Sequence, residues 1–410
     1  MNENDFSSLV RGWATSALEQ NPELNIDGLV RALPGVYPSD LARILGDQWG
    51  RLLRRSNPEA DSLRPSNEDG FPIPHPLDYD WRFTQETRVL LSKMVAVLLP
   101  QRGSVTLLGA PTLFEHLVKL RTDAIIRLAD GSVDSILFLS TNYAKGQLYA
   151  CDLLQECIPQ IFVDAVVADP PWYPEFSEAF VWTAGEIVRV GGHLLLCGPN
   201  LGTRPDATEE WEQIKVYAAS LGFDLVSFES SLRYQTPPFE QNALNAAGYK
   251  SVSPDWRTGC LATFVRERVS VVQRPIASSS YTQWHQENVG GVRWRLRRME
   301  DCIPVSPLLS EIVINNVLDS VSRRDLRRLA VDVWTSGNRV FGCSDTSTLM
   351  LILRAVKTCV SPITFVEAAT ERKLTIAETS AVNGAARSVA EIVSLEQQEY
   401  VHLTEDLSVS

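Results

Sequence analysis

The stretch VVADPPWYPE at 166–175 places one carboxylate, Asp169, against two prolines and two aromatics at the end of an apolar run. Pro170 and Pro171 fix their own φ angles and carry no N–H, so the corner is stiff and its carbonyls stay available as acceptors. A residue that precedes a proline is kept out of the helical region, which holds Asp169 extended. A fixed carboxylate beside a fixed carbonyl makes a pair of acceptors, and that pair suits an amino group with two N–H donors. Trp172 adds a flat face for a planar ring or a cation. No nucleophile with an adjacent base is present. The chemistry that fits is direct attack by an amine on an electrophile held alongside, with the site aligning the lone pair. A plain turn after a strand, with Trp172 and Tyr173 as packing residues, is the competing reading, and the surrounding elements must decide.

Those elements alternate. After Trp81, a helical segment runs to Pro100, SVTLLG (104–109) reads as a strand and APTLFEHLVKL as a helix with Pro111 in its first turn. Strands are expected at SILFLS (135–140), QLYACD (147–152), IFVDAVVAD, HLLLCGP, FDLVSFES and GCLATFVR. Between them, EFSEAFVWTAGEIVRV reads as a helix ended by Gly191-Gly192, and ATEEWEQIKVYAASLG as another. Continuously apolar strands alternating with helices predict a doubly wound, Rossmann-like, mostly parallel sheet, closed by an antiparallel edge pair. Ligands in such α/β sheets sit outside the carboxyl ends of the strands. Gly109, Asp152 and Asp169 all fall there.

The expected organisation is a helical N-terminal module (1–60), a Pro-, Asp- and Ser-rich linker (61–80), the Rossmann-like domain (81–268) and a mixed α+β C-terminal domain (269–410). In the last of these, strands are expected around Val289-Gly290-Gly291, and helices over LLSEIVINNVLDSVSRRDLRRLAV and STLMLILRAVKTC. A net charge of −12 argues against the whole surface binding nucleic acid. Arginines nevertheless cluster in RWRLRR and SRRDLRR, so the 293–328 region is the candidate phosphate contact, and on a helix Arg324 and Arg328 would share one side. The alternative is a solvated helix face. Seven dispersed cysteines without a CxxC pair point to reduced thiols in a cytoplasm and to no metal site, and the five histidines show no ligand spacing. No apolar run approaches the ~18 residues of a membrane span.

Asp-Pro-Pro-Trp followed by an aromatic resembles the motif IV tetrapeptide of amino-group methyltransferases that use S-adenosylmethionine (SAM), above all those acting on adenine. VGGHLLL at 190–196 is similar to the strand that follows in that fold. The resemblance implies a methyltransferase-type fold and a SAM cofactor. It implies that Asp169 and Pro170 hold the target amine, with Pro171 completing the corner, Trp172 stacking on the target and Tyr173 touching it. Gly109, Pro111 and Thr112 would form the cofactor turn. The "PTL" there also resembles protein-lysine methyltransferases and branched-chain polyamine synthases. The strand after the first helix is expected to end at Leu139-Ser140-Thr141-Asn142. That end lacks the family's acid, leaving Asn142 as the ribose contact, while Asp152 matches the position that contacts the cofactor adenine. The leading expectation is methyl transfer to adenine in nucleic acid. A protein lysine, a small amine or polyamine, or a non-catalytic scaffold that binds a protein partner or a second copy are the alternatives.

Overall fold

A computed structural model describes residues 3–53, 70–120, 123–143, 146–249, 255–276, 283–298 and 307–404. The chain forms two units, each built from separate stretches. The first takes 1–63, 81–236 and 251–278, and the second takes 64–80, 237–250 and 279–410.

The first unit begins with α1 (Glu3–Gln20), α2 (Ile26–Ala32), α3 (Pro38–Leu45) and α4 (Asp47–Leu53). Phe6, Val10 and Ala14 give α1 one buried stripe at a spacing of four. Asn25 caps α2 by accepting from the Gly28 N–H at 2.8 Å. After α5 (Gln85–Leu98) come β1 (Ser104–Leu108), α6 (Pro111–Leu120), β2 (Ile125–Asp130), α7 (Val133–Asn142), β3 (Gln147–Ala150) and β4 (Val163–Ala168). Then follow α8 (Pro174–Ile187), β5 (Val188–Pro199), α9 (Ala207–Ser220), β6 (Phe223–Arg233), α10 (Pro238–Ala246, in the second unit) and β7 (Thr258–Arg266). The sheet order is β3-β2-β1-β4-β5-β7-β6. Strands β1 to β5 run parallel, and β7 is antiparallel to both of its neighbours. Every residue of β4 is buried, as a central parallel strand covered on both faces requires. Phe180 and Ala184 of α8 and Trp211 and Ile214 of α9 pack with Val166, Leu194 and Leu196 in one core.

Three expectations for this unit change. Residues 135–140 belong to helix α7, which buries Ser135, Ile136 and Leu139 while Val133 and Leu137 face solvent. A six-residue apolar run cannot tell one face of a helix from a strand. The strand that follows α6 is instead β2, and it ends in Asp130. Lastly, α8 stops at Ile187, and β5 runs through Gly191-Gly192 rather than starting after it.

The second unit carries a five-stranded antiparallel sheet in the order β10-β12-β11-β9-β8. Strands β8 (Trp284–Val289) and β9 (Val292–Arg297) meet at Gly290-Gly291, where φ values of 59° and 83° call for glycine. Strands β10 (Leu309–Glu311), β11 (Val333–Thr335) and β12 (Val340–Cys343) are short. Helices α11 (Thr346–Lys357), α12 (Pro362–Thr370) and α13 (Ile376–Thr404) pack against the sheet, with Leu349, Ile352, Val366 and Val389 in its core.

The arginine-rich region is not a helical stripe. Residues 309–331 form β10 and short 3-10 turns at 314–316 and 326–330. Arg327 is bound by Asp325 and Asp319, and Arg328 donates to the Val321 carbonyl and lies over the Trp334 ring at 4.5 Å. Arg297 donates to the Leu329 carbonyl and Arg298 to Gln283. Arg293 and Arg295 share the carboxylate of Asp78, from the segment expected to be a linker. The described part of that segment, 70–80, is therefore built into the unit. His75 there is fully buried, its Nε2 3.2 Å from the Trp334 carbonyl. Burial beside Arg295 and Arg293 holds the His75 imidazole well below its ordinary range, so the ring is neutral.

Replacing Asp78 leaves two guanidinium groups without their shared counter-charge, Arg293 being only 2 % exposed. Asp78→Ala is expected to lower stability by roughly 3–5 kcal/mol in urea denaturation. A loss under about 1 kcal/mol would show that water compensates the arginines.

Candidate functional site

Parallel pairing sets the first coordinate of the site. At the end of β4 the Asp169 N–H donates to the Leu108 carbonyl at 2.9 Å, and the Gly109 N–H donates to the Ala129 carbonyl at 2.9 Å. The ends of β2, β1 and β4 are thus stitched together where Gly109 turns at φ 70°. A Cβ on Gly109 would stand 2.8 Å from the Asp169 carbonyl and 3.1 Å from the Phe180 ring, so this turn has room only for glycine.

The second coordinate comes from the antiparallel edge. The Tyr234 N–H donates to the Arg257 carbonyl at 2.9 Å, extending the β6–β7 ladder by one pair and delivering the Tyr234 side chain to Asp169. The Tyr234 hydroxyl donates to Asp169 Oδ1 at 2.8 Å. Tyr234 is fully buried, 5.0 Å from the Phe83 ring and edge-on to Trp172 at 5.4 Å. The Arg257 guanidinium lies between two indoles, 4.4 Å from Trp81 and 4.2 Å from Trp172. Its Nη1 donates to the Tyr37 hydroxyl at 2.6 Å.

Asp169 keeps a little exposed surface, yet its carboxyl lies deep at the mouth of the sheet. Burial pushes it up to about 8, against the pull of the Tyr234 hydroxyl and the Arg257 charge, and Asp130 adds to the rise. Burial and Asp169 hold the Tyr234 phenol well above its ordinary range, so Tyr234 stays a donor. The same two causes raise the Cys197 thiol, which offers no thiolate. The Pro170 carbonyl accepts no hydrogen bond among the described residues, while Pro171 accepts from the Tyr173 N–H at 2.7 Å. Tyr173 precedes α8, lies 6.4 Å from Phe176, and lines a pocket with Trp172, Glu178, Cys197, Arg204 and Trp211.

On the other side of β1, Pro111 and Thr112 form the first turn of α6, where backbone N–H groups lack helical partners. Asp130 ends β2, and its Oδ1 accepts the Ser132 N–H at 2.7 Å. Asp152 follows β3 and caps a turn, with Oδ1 accepting from the Leu154 N–H at 2.9 Å. Asn142 is not at a strand end. It closes α7 and donates to the Phe138 carbonyl at 2.8 Å, so the strand-end place assigned to it belongs to Asp130. The structure brings together Gly109, Asp130, Asp169, Pro170 and Trp172, and adds Tyr37, Trp81, Tyr234 and Arg257. The isoleucines of IIRLAD followed by Gly131 were the signal for Asp130. The other four residues lie in segments without a motif.

Six strands running one way, with an antiparallel β7 placed between β5 and β6, give the Rossmann-like arrangement of methyltransferases. The fold is of methyltransferase type. Solved structures similar to this chain include the branched-chain polyamine synthase from Thermus thermophilus in complex with N4-aminopropylspermidine and 5′-methylthioadenosine. It shows 14% identity over 67% of this chain and 90% of that chain, with a TM-score of 0.49. The N-methyltransferase NodS from Bradyrhizobium japonicum in complex with S-adenosyl-L-homocysteine shows 14% identity over 45% and 86%, with a TM-score of 0.30. A TehB-like SAM-dependent methyltransferase from Corynebacterium glutamicum shows 10% identity over 43% and 86%, with a TM-score of 0.32. The sequence matches no protein-family model and no curated protein. Among the described residues no helix is long and apolar enough to cross a membrane.

The raised carboxyl has a measurable consequence. The fold prefers protonated Asp169, so its contribution to stability is full below pH ~4 and is lost as pH rises through about 8. Asp169→Asn is expected to remove that loss. Denaturation midpoints of variant and wild type should diverge from pH 4 to 8, in favour of the variant and by a few kcal/mol at most, then run parallel. Parallel curves across the whole range would place the Asp169 carboxyl near its ordinary value.

Proposed function

We propose that this chain transfers an alkyl group, methyl in the simplest case, from SAM or a SAM-derived sulfonium to an aliphatic amine held at Asp169. The single observation that carries this reading is a carboxyl at the carboxyl end of β4, fixed by its backbone bond to Leu108 and aimed by the Tyr234 hydroxyl at 2.8 Å; burial raises it to about 8. An alkylammonium must lose a proton before its nitrogen can attack. With an ordinary ammonium near 10.4 and an ordinary carboxylate near 3.9, that transfer costs about 9 kcal/mol; with the carboxyl near 8 it costs about 3. A general base is most effective when its pKa lies near the working pH.

The residues fit the cofactor. The glycine turn leaves a space between β1 and β4 that a Cβ would fill, Asp130 offers a carboxylate at the end of β2, and the first turn of α6 offers backbone donors. In this reading Asp130 holds the ribose, the Gly109–Thr112 turn lies against the amino-acid end, and the turn capped by Asp152 borders the adenine. SAM supplies an electrophilic carbon on a sulfonium and leaves as a neutral thioether. The chain does the rest. Asp169 would take one proton from the alkylammonium, the Pro170 carbonyl would accept a second N–H, and Tyr234 keeps the carboxyl aimed. Transfer would form a C–N bond at the expense of the sulfonium C–S bond, and the proton taken from the alkylammonium would reside on Asp169.

Adenine in nucleic acid fits less well. Its exocyclic amine is already neutral and gains nothing from a base near 8. The Trp172 face is occupied by Arg257, and Arg293, Arg295, Arg297, Arg298, Arg327 and Arg328 are all engaged within the chain.

Calorimetry with SAM and its decarboxylated form, followed by transfer assays on polyamines, lysine peptides and adenine-containing nucleic acid, tests the reading. Binding of one cofactor and turnover on an aliphatic amine are expected, with kcat/KM rising toward pH 8. Asp169→Ala should lose at least about 100-fold in kcat while cofactor affinity stays within a few fold. No binding at millimolar cofactor would sink the proposal, and turnover confined to nucleic acid would replace the acceptor.

A further inference from the structure

The N-terminal helices belong to the same unit as the sheet, and the loop between α2 and α3 reaches the site. A Cβ on Gly35 would stand 2.4 Å from the Asn200 side chain, and one on Gly202 would stand 2.9 Å from the Pro34 carbonyl. The loop is therefore pressed against the turn that follows β5. It ends at Tyr37, whose hydroxyl accepts from Arg257 and whose ring meets Trp256 edge-on at 5.0 Å. Trp81 arrives by a separate route. The Gln235 N–H donates to the Arg82 carbonyl at 2.8 Å and the Thr84 N–H to the Arg233 carbonyl at 3.1 Å, which lays residues 82–84 along the end of β6.

These contacts hold a guanidinium that is 8 % exposed and forms no ion pair among the described residues. Its Nε has no hydrogen-bond partner. A buried charge kept by two indole faces and one phenol lacks the carboxylate that ordinarily accompanies it. The acid of the site is Asp169: Arg257 packs on Trp172, three residues further along the chain, and its carbonyl pairs with Tyr234, whose hydroxyl donates to Asp169. The titratable groups around Asp169 are Tyr234 beyond β6, Cys197 on β5, Asp130 at the end of β2 and Arg257 before β7. Arg257 is the one cation among them.

We infer that Arg257 is the positioning residue for Asp169: it supplies the counter-charge for the ionised carboxylate, fixes Trp172, and is itself held by Tyr37, so that the N-terminal helices complete the site. This rests on Asp169 as the amine-handling carboxyl. It assigns the N-terminal segment a part in the chemistry, where packing alone would make it an accessory. Arg257 also decides what the site refuses. With a cation already over Trp172, neither a second cation nor a planar base can use that face.

The experiment is a pH titration of the Asp169 side-chain carbon by NMR in the full chain, labelled at aspartate and assigned by its loss in Asp169→Asn. Removing the charge in Arg257→Gln is expected to move the Asp169 midpoint upward by about one unit or more, since an opposite charge nearby favours the ionised form. Arg257→Lys restores the charge and should bring the midpoint most of the way back. Tyr37→Phe, which keeps the ring and removes only the hydroxyl, should shift it in the same direction as Arg257→Gln but by less. Identical midpoints in wild type and a folded Arg257→Gln would overturn the proposal. So would a Lys variant displaced as far as the Gln one, because packing and not charge would then be responsible. If Arg257→Gln fails to fold, Tyr37→Phe decides, and an unmoved midpoint there removes the N-terminal helices from the site. The titration needs no substrate. A shifted midpoint in a protein that transfers nothing would separate the failure of the functional reading from the failure of this one.

Discussion

A carboxyl group drawn out of water at the end of β4 governs the architecture around it. Two backbone hydrogen bonds, Asp169 to Leu108 and Gly109 to Ala129, fix where that carboxyl stands. The following prolines prevent the chain from relaxing into a helix, and Gly109 lets β1 pass close enough to keep the carboxyl covered. Desolvation of this size is tolerated only where neighbours over-determine the geometry. Tyr234 and Arg257 do so from the far edge of the sheet. Because they are cross-strand neighbours in one ladder, whatever orders β6 against β7 orders both at once.

Much of this was legible in the sequence. The apolar strands alternating with helices, the antiparallel last pair and the placement of Asp169 at a strand's carboxyl end followed from periodicity and from the rigidity of Pro-Pro. The cofactor side was misread at one place, and for a physical reason. SILFLS is more apolar than IIRLAD, but it buries only one face, whereas Arg127 and Asp130 of IIRLAD are buried polar residues in a strand. Hydrophobicity ranked the two segments in the wrong order. Reading Ser132 as a helix cap would have corrected it, since Ser132 accepts from the Ser135 N–H. The apparent lack of an acid vanished with the strand assignment.

Tyr37, Trp81, Tyr234 and Arg257 were not legible at all. Each sits just outside a regular element and acquires its role only from tertiary contacts separated by up to 220 positions in the chain. The arginine-rich stretch shows the reverse error. Local spacing suggested a charged helical face, but the chain there runs as short strands and turns, and the guanidinium groups of Arg293, Arg295, Arg297, Arg298, Arg327 and Arg328 are used internally. Asp78, in what composition marked as a linker, pairs with two of them. Polar, proline-rich composition identifies where a chain lacks regular structure. It does not say whether that segment is packed.

The order in which the strands occur along the chain carries one more consequence. Strand β7 lies between β5 and β6, yet the chain makes β6 first and then contributes residues 237–250 to the other unit before returning. In the finished sheet β5 and β6 do not pair with each other; each pairs with β7. The ladder that carries Tyr234 and Arg257 needs a strand made after that excursion. Any construction that cuts between β6 and β7, or separates the two units by a single break, removes a segment from both. The sheet of this unit is thus complete only when the returning strand fills the gap that its predecessors left.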